Sequence, residues 1–140
     1  MAIALEEAKK AEKRNEVPIG AVIVKGGKII SKAFNNRERT QNAINHAEII
    51  AIKKACKKLK SWRLENCEIY VTLEPCLMCY GAILNSRIKT LYYGAKDNKS
   101  CNKDLLISKN NSLNHNLTVE GGIMEEECSN ILKNFFKKVR

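Results

Sequence analysis

The fold is set by residues 69–79, which read Ile69-Tyr70-Val71-Thr72-Leu73-Glu74-Pro75-Cys76-Leu77-Met78-Cys79. The first five residues are apolar, aromatic or β-branched, a composition typical of a strand. Pro75 follows at a position that the first turn of a helix tolerates, and the residues from Cys76 to Asn85 continue as that helix. The stretch therefore predicts a strand that passes through a short turn into a helix carrying two cysteines.

Upstream of this stretch, the sequence predicts a helix and a β-hairpin. Residues 3–14 place apolar side chains at helical spacing among charged ones, and Pro18 ends that pattern. Two apolar runs, 19–24 and 28–34, flank Gly26-Gly27, a pair that readily adopts the positive φ angles of a two-residue turn. We therefore expect an N-terminal helix followed by two antiparallel strands.

A second helix is predicted to begin near His46, after a polar loop over residues 35–45. Lysines separate the apolar residues of this helix, which are Ile49, Ile52, Cys56 and Leu59. Beyond the third helix, the sequence predicts a strand over residues 88–94 and a polar, asparagine-rich segment. The chain then offers a short helix at 104–107, a short strand at 117–120 and an amphipathic helix at 124–139.

These elements predict one domain, residues 1–140, of the α/β class. At 140 residues with 44% apolar residues, the chain is large enough for a single core. The order αββαβαβ, followed by a short strand and a helix, predicts a three-layer α/β/α sandwich around a mixed sheet. Because Met1 already falls within the first predicted helix, a missing N-terminal turn stays open.

The chain is strongly basic, with 25 Lys and Arg against 15 Asp and Glu and a formal net charge of +10. Such a balance favours a polyanionic partner, although a lysine-rich solvated face is the simpler alternative. No apolar run approaches the roughly 20 residues that cross a bilayer, and the acids in residues 1–7 do not fit a signal peptide. We therefore expect a cytoplasmic protein that is not bound to a membrane.

In a reducing compartment, the six cysteines indicate metal binding or burial rather than disulfides. Cys56, Cys67 and Cys128 fall in or beside predicted helices and strands and are expected in the core or as spacers. Cys101 lies in a polar stretch and is expected to be an exposed free thiol.

The remaining two cysteines have the spacing of metal ligands. Cys76 and Cys79 share one face at the start of a helix, where the helix dipole favours thiolates, and thiolates suit zinc. The pair alone also fits redox chemistry or a structural site. A third ligand has to be His46 or His115, and His46 is favoured because Glu48 follows it two residues later. Three protein ligands leave one zinc position open, which is typical of a catalytic site.

Glu48 is predicted to move protons in such a site rather than to bind the metal. Residues two apart on a regular helix point roughly 200° apart, so His46 has to precede the regular turns or Glu48 has to reach around. Taken singly, His46 also fits a helix cap or a core histidine, and Glu48 fits a solvated acid at a helix start.

The motif His46-Ala47-Glu48 followed by Pro75-Cys76-Leu77-Met78-Cys79 resembles the signature of zinc-dependent nucleobase deaminases. Nearly the whole chain resembles the bacterial tRNA-specific adenosine deaminase family. The matching segments include Glu16 to Val22, Asn35, Tyr70 to Leu73, Ser86-Arg87-Ile88, Tyr93-Gly94-Ala95 and Gly121-Gly122-Ile123. The resemblance implies a CMP/dCMP-type, cytidine-deaminase-like fold, a homodimer, and hydrolytic conversion of the wobble adenosine in a tRNA anticodon loop to inosine.

The same resemblance implies one Zn²⁺ per subunit on His46, Cys76 and Cys79, with Glu48 as the proton shuttle during attack of water on C6 of adenine. It implies no nucleotide cofactor.

For the substrate, the resemblance implies that Asn35 and the backbone of Ala47 hold the base. More weakly, it implies contacts to the tRNA anticodon stem-loop by the segment around Asp104 and His115 and by Phe135 and Phe136. For Asn35 alone, a loop cap at a strand end is the simpler interpretation.

Departures from the family pattern lie at residues 98–104, at Tyr80, where a small residue is usual, and at Asn116.

Two alternatives stay open on sequence. One is an enzyme of the same fold that deaminates free cytosine, cytidine or guanine, against which the +10 charge argues. The other is a non-enzymatic RNA-binding module with structural zinc, which requires a fourth protein ligand from Cys101 or His115.

Overall fold

The computed structural model describes residues 1–98 and 115–139. The helices within them are α1 (Ala2–Glu12), α2 (Arg37–Thr40), α3 (Ala47–Leu59), α4 (Leu77–Asn85) and α5 (Glu125–Lys138). The strands are β1 (Gly20–Lys25), β2 (Lys28–Phe34), β3 (Cys67–Leu73), β4 (Thr90–Ala95) and β5 (Thr118–Glu120). The predicted helix at 104–107, and with it Asp104 and Cys101, lies outside the described residues.

One mixed sheet carries the fold, with strand order β2-β1-β3-β4-β5. β1 pairs antiparallel with β2 and β3, whereas β3, β4 and β5 run parallel. Gly26 and Gly27 turn the predicted hairpin with φ angles of +57° and +78°, which glycine adopts without steric cost. The predicted mixed sheet is confirmed.

Helices cover both faces of this sheet. Successive residues of β1 point to opposite faces and contact different helices. Ala21 joins the main core, which α3 and α4 enter through residues such as Ala51 and Ile83. The preceding residue, Gly20, faces α1 so closely that a Cβ there would lie 2.0 Å from the carbonyl oxygen of Ala4. On that second face, Cys128 of α5 packs with residues of α1 and β4. The three-layer α/β/α sandwich is therefore confirmed.

The ends of three strands and the starts of two helices meet at one edge of the sheet. Gly20 at the start of β1 pairs with Phe34 at the end of β2, and Ala21 pairs with Val71 near the end of β3. The chain leaves β3 and enters α4 within a few residues, so the first turn of α4 lies at the same edge. This edge brings together His46, Cys76 and Cys79, the three predicted metal ligands.

No helix among the described residues is long and apolar enough to span a membrane.

Candidate active site

Two of the three predicted metal ligands are the residues that precede helices. His46 is the N-cap of α3, with extended backbone angles of φ −73° and ψ 155°. Cys76 is the N-cap of α4, with φ −71° and ψ 174°. Sequence placed Cys76 inside its helix, but the helix begins one residue later, at Leu77. This geometry turns both side chains away from the regular turns and toward each other.

The ligand atoms of His46, Cys76 and Cys79 lie within 4.8 Å of one another. His46 Nδ1 is 3.5 Å from Cys79 Sγ and 3.7 Å from Cys76 Sγ. A tetrahedral zinc ion, with Zn–N near 2.0 Å and Zn–S near 2.3 Å, places its nitrogen and sulfur ligands about 3.5 Å apart. Donor types and spacing therefore both fit a zinc ion. Within the described part of the chain, no other cluster of His, Cys, Asp and Glu has this geometry.

Hydrogen bonds among His46, Cys76 and Cys79 shift the pKa values of all three side chains. A hydrogen bond from the Cys79 thiol, assisted by one from His46, lowers the pKa of Cys76 to about 3. The hydrogen bond to Cys76 raises the pKa of His46, and the hydrogen bond to Cys76 together with burial raises the pKa of Cys79. A metal ion that binds this set replaces the shared protons, so its affinity depends on pH.

Glu48 lies in the first turn of α3 and is only 4% exposed. Burial raises the pKa of its carboxyl, while a hydrogen bond with Cys79 and the charge of His46 act in the opposite direction. Because His46 precedes the helix in an extended conformation, the two side chains reach one site although they are two residues apart. The first of the two geometries that sequence allowed is the one observed.

A cavity of about 170 Å³ opens beside His46. It is lined by Glu16, Val17, Ile19, Asn35, Arg37, Glu38, His46 and Ala47. Asn35 is buried, and its Nδ2 donates a hydrogen bond to the carbonyl oxygen of Val17 at 3.2 Å, which fixes the plane of its amide. The cavity thus brings Asn35 and Ala47, both predicted from sequence, next to His46, a predicted metal ligand.

Sequence did not predict several residues of this cavity, among them Glu16 and Arg37. Glu16 is 1% exposed, and its carboxylate accepts hydrogen bonds from the backbone N–H groups of Glu38 and Arg39, at 3.1 Å and 2.6 Å. Arg37 lies in α2, a helix of four residues inside the predicted loop. The only sequence signal for Glu16 was its place in the Glu16 to Val22 segment of the resemblance.

Among the described residues, the other side chains predicted to contact substrate, His115, Phe135 and Phe136, do not line this cavity. His115 Nε2 lies 2.7 Å from the carbonyl oxygen of Ile88, just before β4 and at the opposite edge of the sheet. Phe135 is buried and Phe136 is 43% exposed on α5, where their rings meet edge to face. Tyr80, a departure from the family pattern, is buried, with its hydroxyl 3.4 Å from Glu74 Oε2.

Comparisons with known proteins identify the family of the chain. A family model described as MafB19-like deaminase matches residues 1–140. The chain is 48% identical to the tRNA-specific adenosine deaminase of Bacillus subtilis (strain 168) over 139 residues, which are 98% of this chain and 86% of that protein. The chain belongs to the tRNA-specific adenosine deaminase family. The protein of the same name from Rickettsia bellii is 47% identical, over 98% of this chain and 97% of that protein.

Solved structures of other deaminases have the same fold as this chain. One, from work on A-to-I editing by tRNA:A34 deaminases at the wobble position of transfer RNA, superposes with a TM-score of 0.83 at 39% identity, over 94% of this chain and 97% of that chain. A guanine deaminase from Bacillus subtilis has a TM-score of 0.63 at 41% identity, over 66% of this chain and 60% of that chain. The chain therefore has the cytidine-deaminase-like fold.

Proposed function

We propose that this deaminase hydrolyses the wobble adenosine of a tRNA anticodon loop to inosine, releasing ammonia. The observation that carries the proposal is a cluster of three candidate ligand atoms, with the buried Glu48 carboxyl hydrogen-bonded to Cys79 and a base-sized cavity lined by His46. The choice of substrate rests on the family of the chain, whose relatives are named for tRNA.

The metal of the proposed site is one Zn²⁺ per chain, held by His46, Cys76 and Cys79. One imidazole and two thiolates are zinc donors, and three protein ligands are the number that catalytic zinc sites use. When bound, zinc supplies the Lewis acidity that makes a water molecule nucleophilic near neutral pH.

Glu48 is the residue that moves protons. Its carboxylate takes a proton from the attacking water as the C–O bond forms at C6 of adenine, and it returns a proton to the amino nitrogen that leaves as ammonia. A raised pKa suits both halves of this task, because the carboxyl has to accept and then release a proton near neutral pH. The buried position of Glu48 also limits proton exchange with bulk water.

Asn35 and Ala47 are proposed to orient the base. The Asn35 amide is held by Val17 O, and Ala47 is fully buried at the start of α3, where its backbone amide faces no earlier turn of the helix. An adenine from an unpaired loop enters such a pocket at a smaller unstacking cost than one from a duplex.

The proposed partner is a tRNA anticodon stem-loop. The net charge of +10 suits a polyanion, and the lysines of α3 lie exposed along one side of that helix. The family resemblance further supports a homodimer. Leu77 and Met78 of α4, next to the ligand Cys76, are 52% and 37% exposed and are apolar surface that a second copy would cover. A cytoplasmic location is proposed for an enzyme that acts on tRNA.

Guanine deamination is the second candidate, because the guanine deaminase from Bacillus subtilis is 41% identical over the part that aligns. A free base does not require a basic protein surface, so the charge of this chain favours the tRNA substrate. The non-enzymatic alternative loses its basis, since the chain belongs to a deaminase family.

A single substrate comparison tests the proposal. The zinc-loaded protein is incubated with an anticodon stem-loop carrying a wobble adenosine and, separately, with free adenosine, cytidine, cytosine and guanine. We expect inosine in the stem-loop and no turnover of the free compounds. Turnover of guanine with an unmodified stem-loop would replace the proposal with the second candidate.

A further inference from the structure

The part of the cavity lining that α2 contributes is held in place by a buried carboxylate from a distant segment. Glu16 Oε2 accepts the N–H of Glu38 at 3.1 Å, and Glu16 Oε1 accepts the N–H of Arg39 at 2.6 Å. The two residues of each pair are more than 20 positions apart in sequence, so the contact is tertiary. Hydrogen bonds from backbone N–H groups to an ionised carboxylate are shorter and stronger than those between neutral groups.

Both the backbone and the side chain of Glu16 are held in place. Its backbone N–H donates to the carbonyl oxygen of Ala11 in the last turn of α1 at 3.0 Å, and its side chain is 1% exposed. The next residue, Val17, supplies the carbonyl oxygen that holds the Asn35 amide. One short segment therefore connects α1 to both α2 and Asn35.

Glu16 takes the place of the side chain that would ordinarily cap α2. Asn36 is the N-cap residue of this helix, and an N-cap side chain ordinarily accepts the N–H of the second or third helical residue, here Glu38 or Arg39. Both N–H groups bond Glu16 instead. Accordingly, Asn36 Oδ1 is buried without a hydrogen-bond partner among the residues that the structure describes. The tertiary acceptor has displaced the local one.

We propose that Glu16 is a positioning residue of the substrate pocket: its carboxylate fixes α2, and thereby Arg37 and Glu38, as one wall of the cavity beside His46. This inference rests on the proposed function for its substrate, but the contact itself lies in the free protein. Glu16 acts through α2 and the Val17–Asn35 contact, and it neither binds the metal nor moves protons.

Glu16→Ala tests the inference by two independent measurements. Residue-resolved amide exchange is expected to accelerate at Glu38 and Arg39 and to stay unchanged in the core strands. With a wobble-adenosine stem-loop, kcat/KM is expected to fall by about 10-fold to 100-fold, mostly through KM, because a displaced wall misplaces the substrate. Zinc content is expected to stay at the wild-type level. Glu12→Ala is the matched control, since Glu12 pairs with Lys138 of α5 at 3.8 Å and does not line the cavity, and it is expected to change neither measurement.

Asn36 provides a second test. In Glu16→Ala the Asn36 side chain becomes free to cap α2, so the double variant Glu16→Ala, Asn36→Ala is expected to exchange faster at Glu38 and Arg39 than Glu16→Ala does. Asn36→Ala alone is expected to leave both rates near wild type. Additive effects of the two substitutions would contradict the displaced cap.

Each failure has its own signature. If Glu16→Ala does not fold, Glu16→Gln is used, because its amide keeps one acceptor oxygen and is expected to give intermediate rates and an intermediate KM. Unchanged exchange at Glu38 and Arg39, or kcat/KM within about twofold of wild type, overturns the inference. A wild-type protein that leaves the stem-loop unmodified overturns the proposed function instead, and the exchange measurement still decides the role of Glu16.

Discussion

His46 Nδ1 lies 3.7 Å from Cys76 Sγ, although the two residues are 30 positions apart, because each is the N-cap of its helix. The starts of α3 and α4 therefore converge on one point. Their dipoles direct partial positive charge at that point, which is unfavourable for a bare cation and favourable for thiolates. A low pKa for the Cys76 thiol, about 3, agrees with a thiolate at this position.

We expect about one zinc per chain and loss of that zinc in Cys79→Ala, since two remaining ligands bind weakly. Atomic absorption or inductively coupled plasma analysis of the purified protein measures this. Cys56→Ala, which removes a half-buried thiol outside the cluster, is the control and is expected to retain the metal. A chelator is expected to lower the thermal midpoint, because a ligand at about 1,000 times its Kd contributes about 4 kcal/mol to stability. Equal zinc content in all three proteins would exclude the proposed ligand set.

Glu48→Gln is expected to reduce turnover of the stem-loop by about 10²-fold to 10⁴-fold while zinc stays bound, because the amide cannot accept a proton. Single-turnover kinetics together with metal analysis separate the two effects. Glu65→Gln, at an exposed position, removes the same charge and is expected to leave activity unchanged. An active Glu48→Gln enzyme would remove Glu48 from the mechanism.

Sequence predicted most of the fold because its signals are local. The glycine pair at 26–27 identified the hairpin, and the helical spacing after His46 identified α3. The candidate metal ligands were selected in the same way. Residue type and a three-residue spacing indicated Cys76 and Cys79, and the acid two residues after His46 favoured that histidine as the third. Even the conflict between His46 and Glu48 followed from helix geometry, and the structure resolves it with an extended N-cap residue.

The part of the cavity formed by α2 could not be predicted from sequence, because it depends on a contact between distant segments rather than on a local signal. α2 has four residues, no apolar periodicity and no buried side chain, so nothing local distinguishes it from a loop. Its backbone is held by Glu16, more than 20 residues away in sequence. A carboxylate that acts through such a tertiary contact leaves no spacing pattern, and it becomes visible only when the fold brings the two segments together.

Asn35→Ala is expected to raise KM for the stem-loop and to leave zinc content unchanged. Loss of a buried hydrogen bond that also leaves its partners unpaired costs about 1–3 kcal/mol, which corresponds to an increase of roughly 5-fold to 150-fold. Steady-state kinetics on the stem-loop measure it. Asn85→Ala, at an exposed position at the end of α4, is the control and is expected to leave KM unchanged. If both variants have the same KM as the wild type, Asn35 does not contact the base.

Burial raises the pKa of the Cys128 thiol from 9.0 to about 11. The unfolded chain therefore loses this proton at lower pH than the folded protein. The resulting contribution to stability is complete below pH 9.0 and is lost as the pH rises to about 11. Urea unfolding at several pH values between these limits is expected to show a shallower decline for Cys128→Ala than for the wild type, on top of a uniform loss from the cavity. Parallel declines would show that the thiol does not titrate on unfolding.

Two glycines make a matched test of the packing between α1 and the sheet. A Cβ at Gly20 would lie 2.0 Å from the backbone oxygen of Ala4 and 2.7 Å from the backbone nitrogen of Ala8, and neither atom moves without moving α1. Gly20→Ala is therefore expected to lower the free energy of unfolding by about 1–3 kcal/mol. A Cβ at Gly81, inside α4, would have no atom within 4 Å among the described residues, apart from its neighbours and the backbone of its own helix. Gly81→Ala is therefore expected to raise that free energy by about 0.5–1 kcal/mol. Urea denaturation measures both. Both substitutions add the same methyl group, so changes of opposite sign in the free energy of unfolding would show the effect of the close approach of α1 to β1. A Gly20→Ala protein as stable as the wild type would mean that α1 packs farther from the sheet.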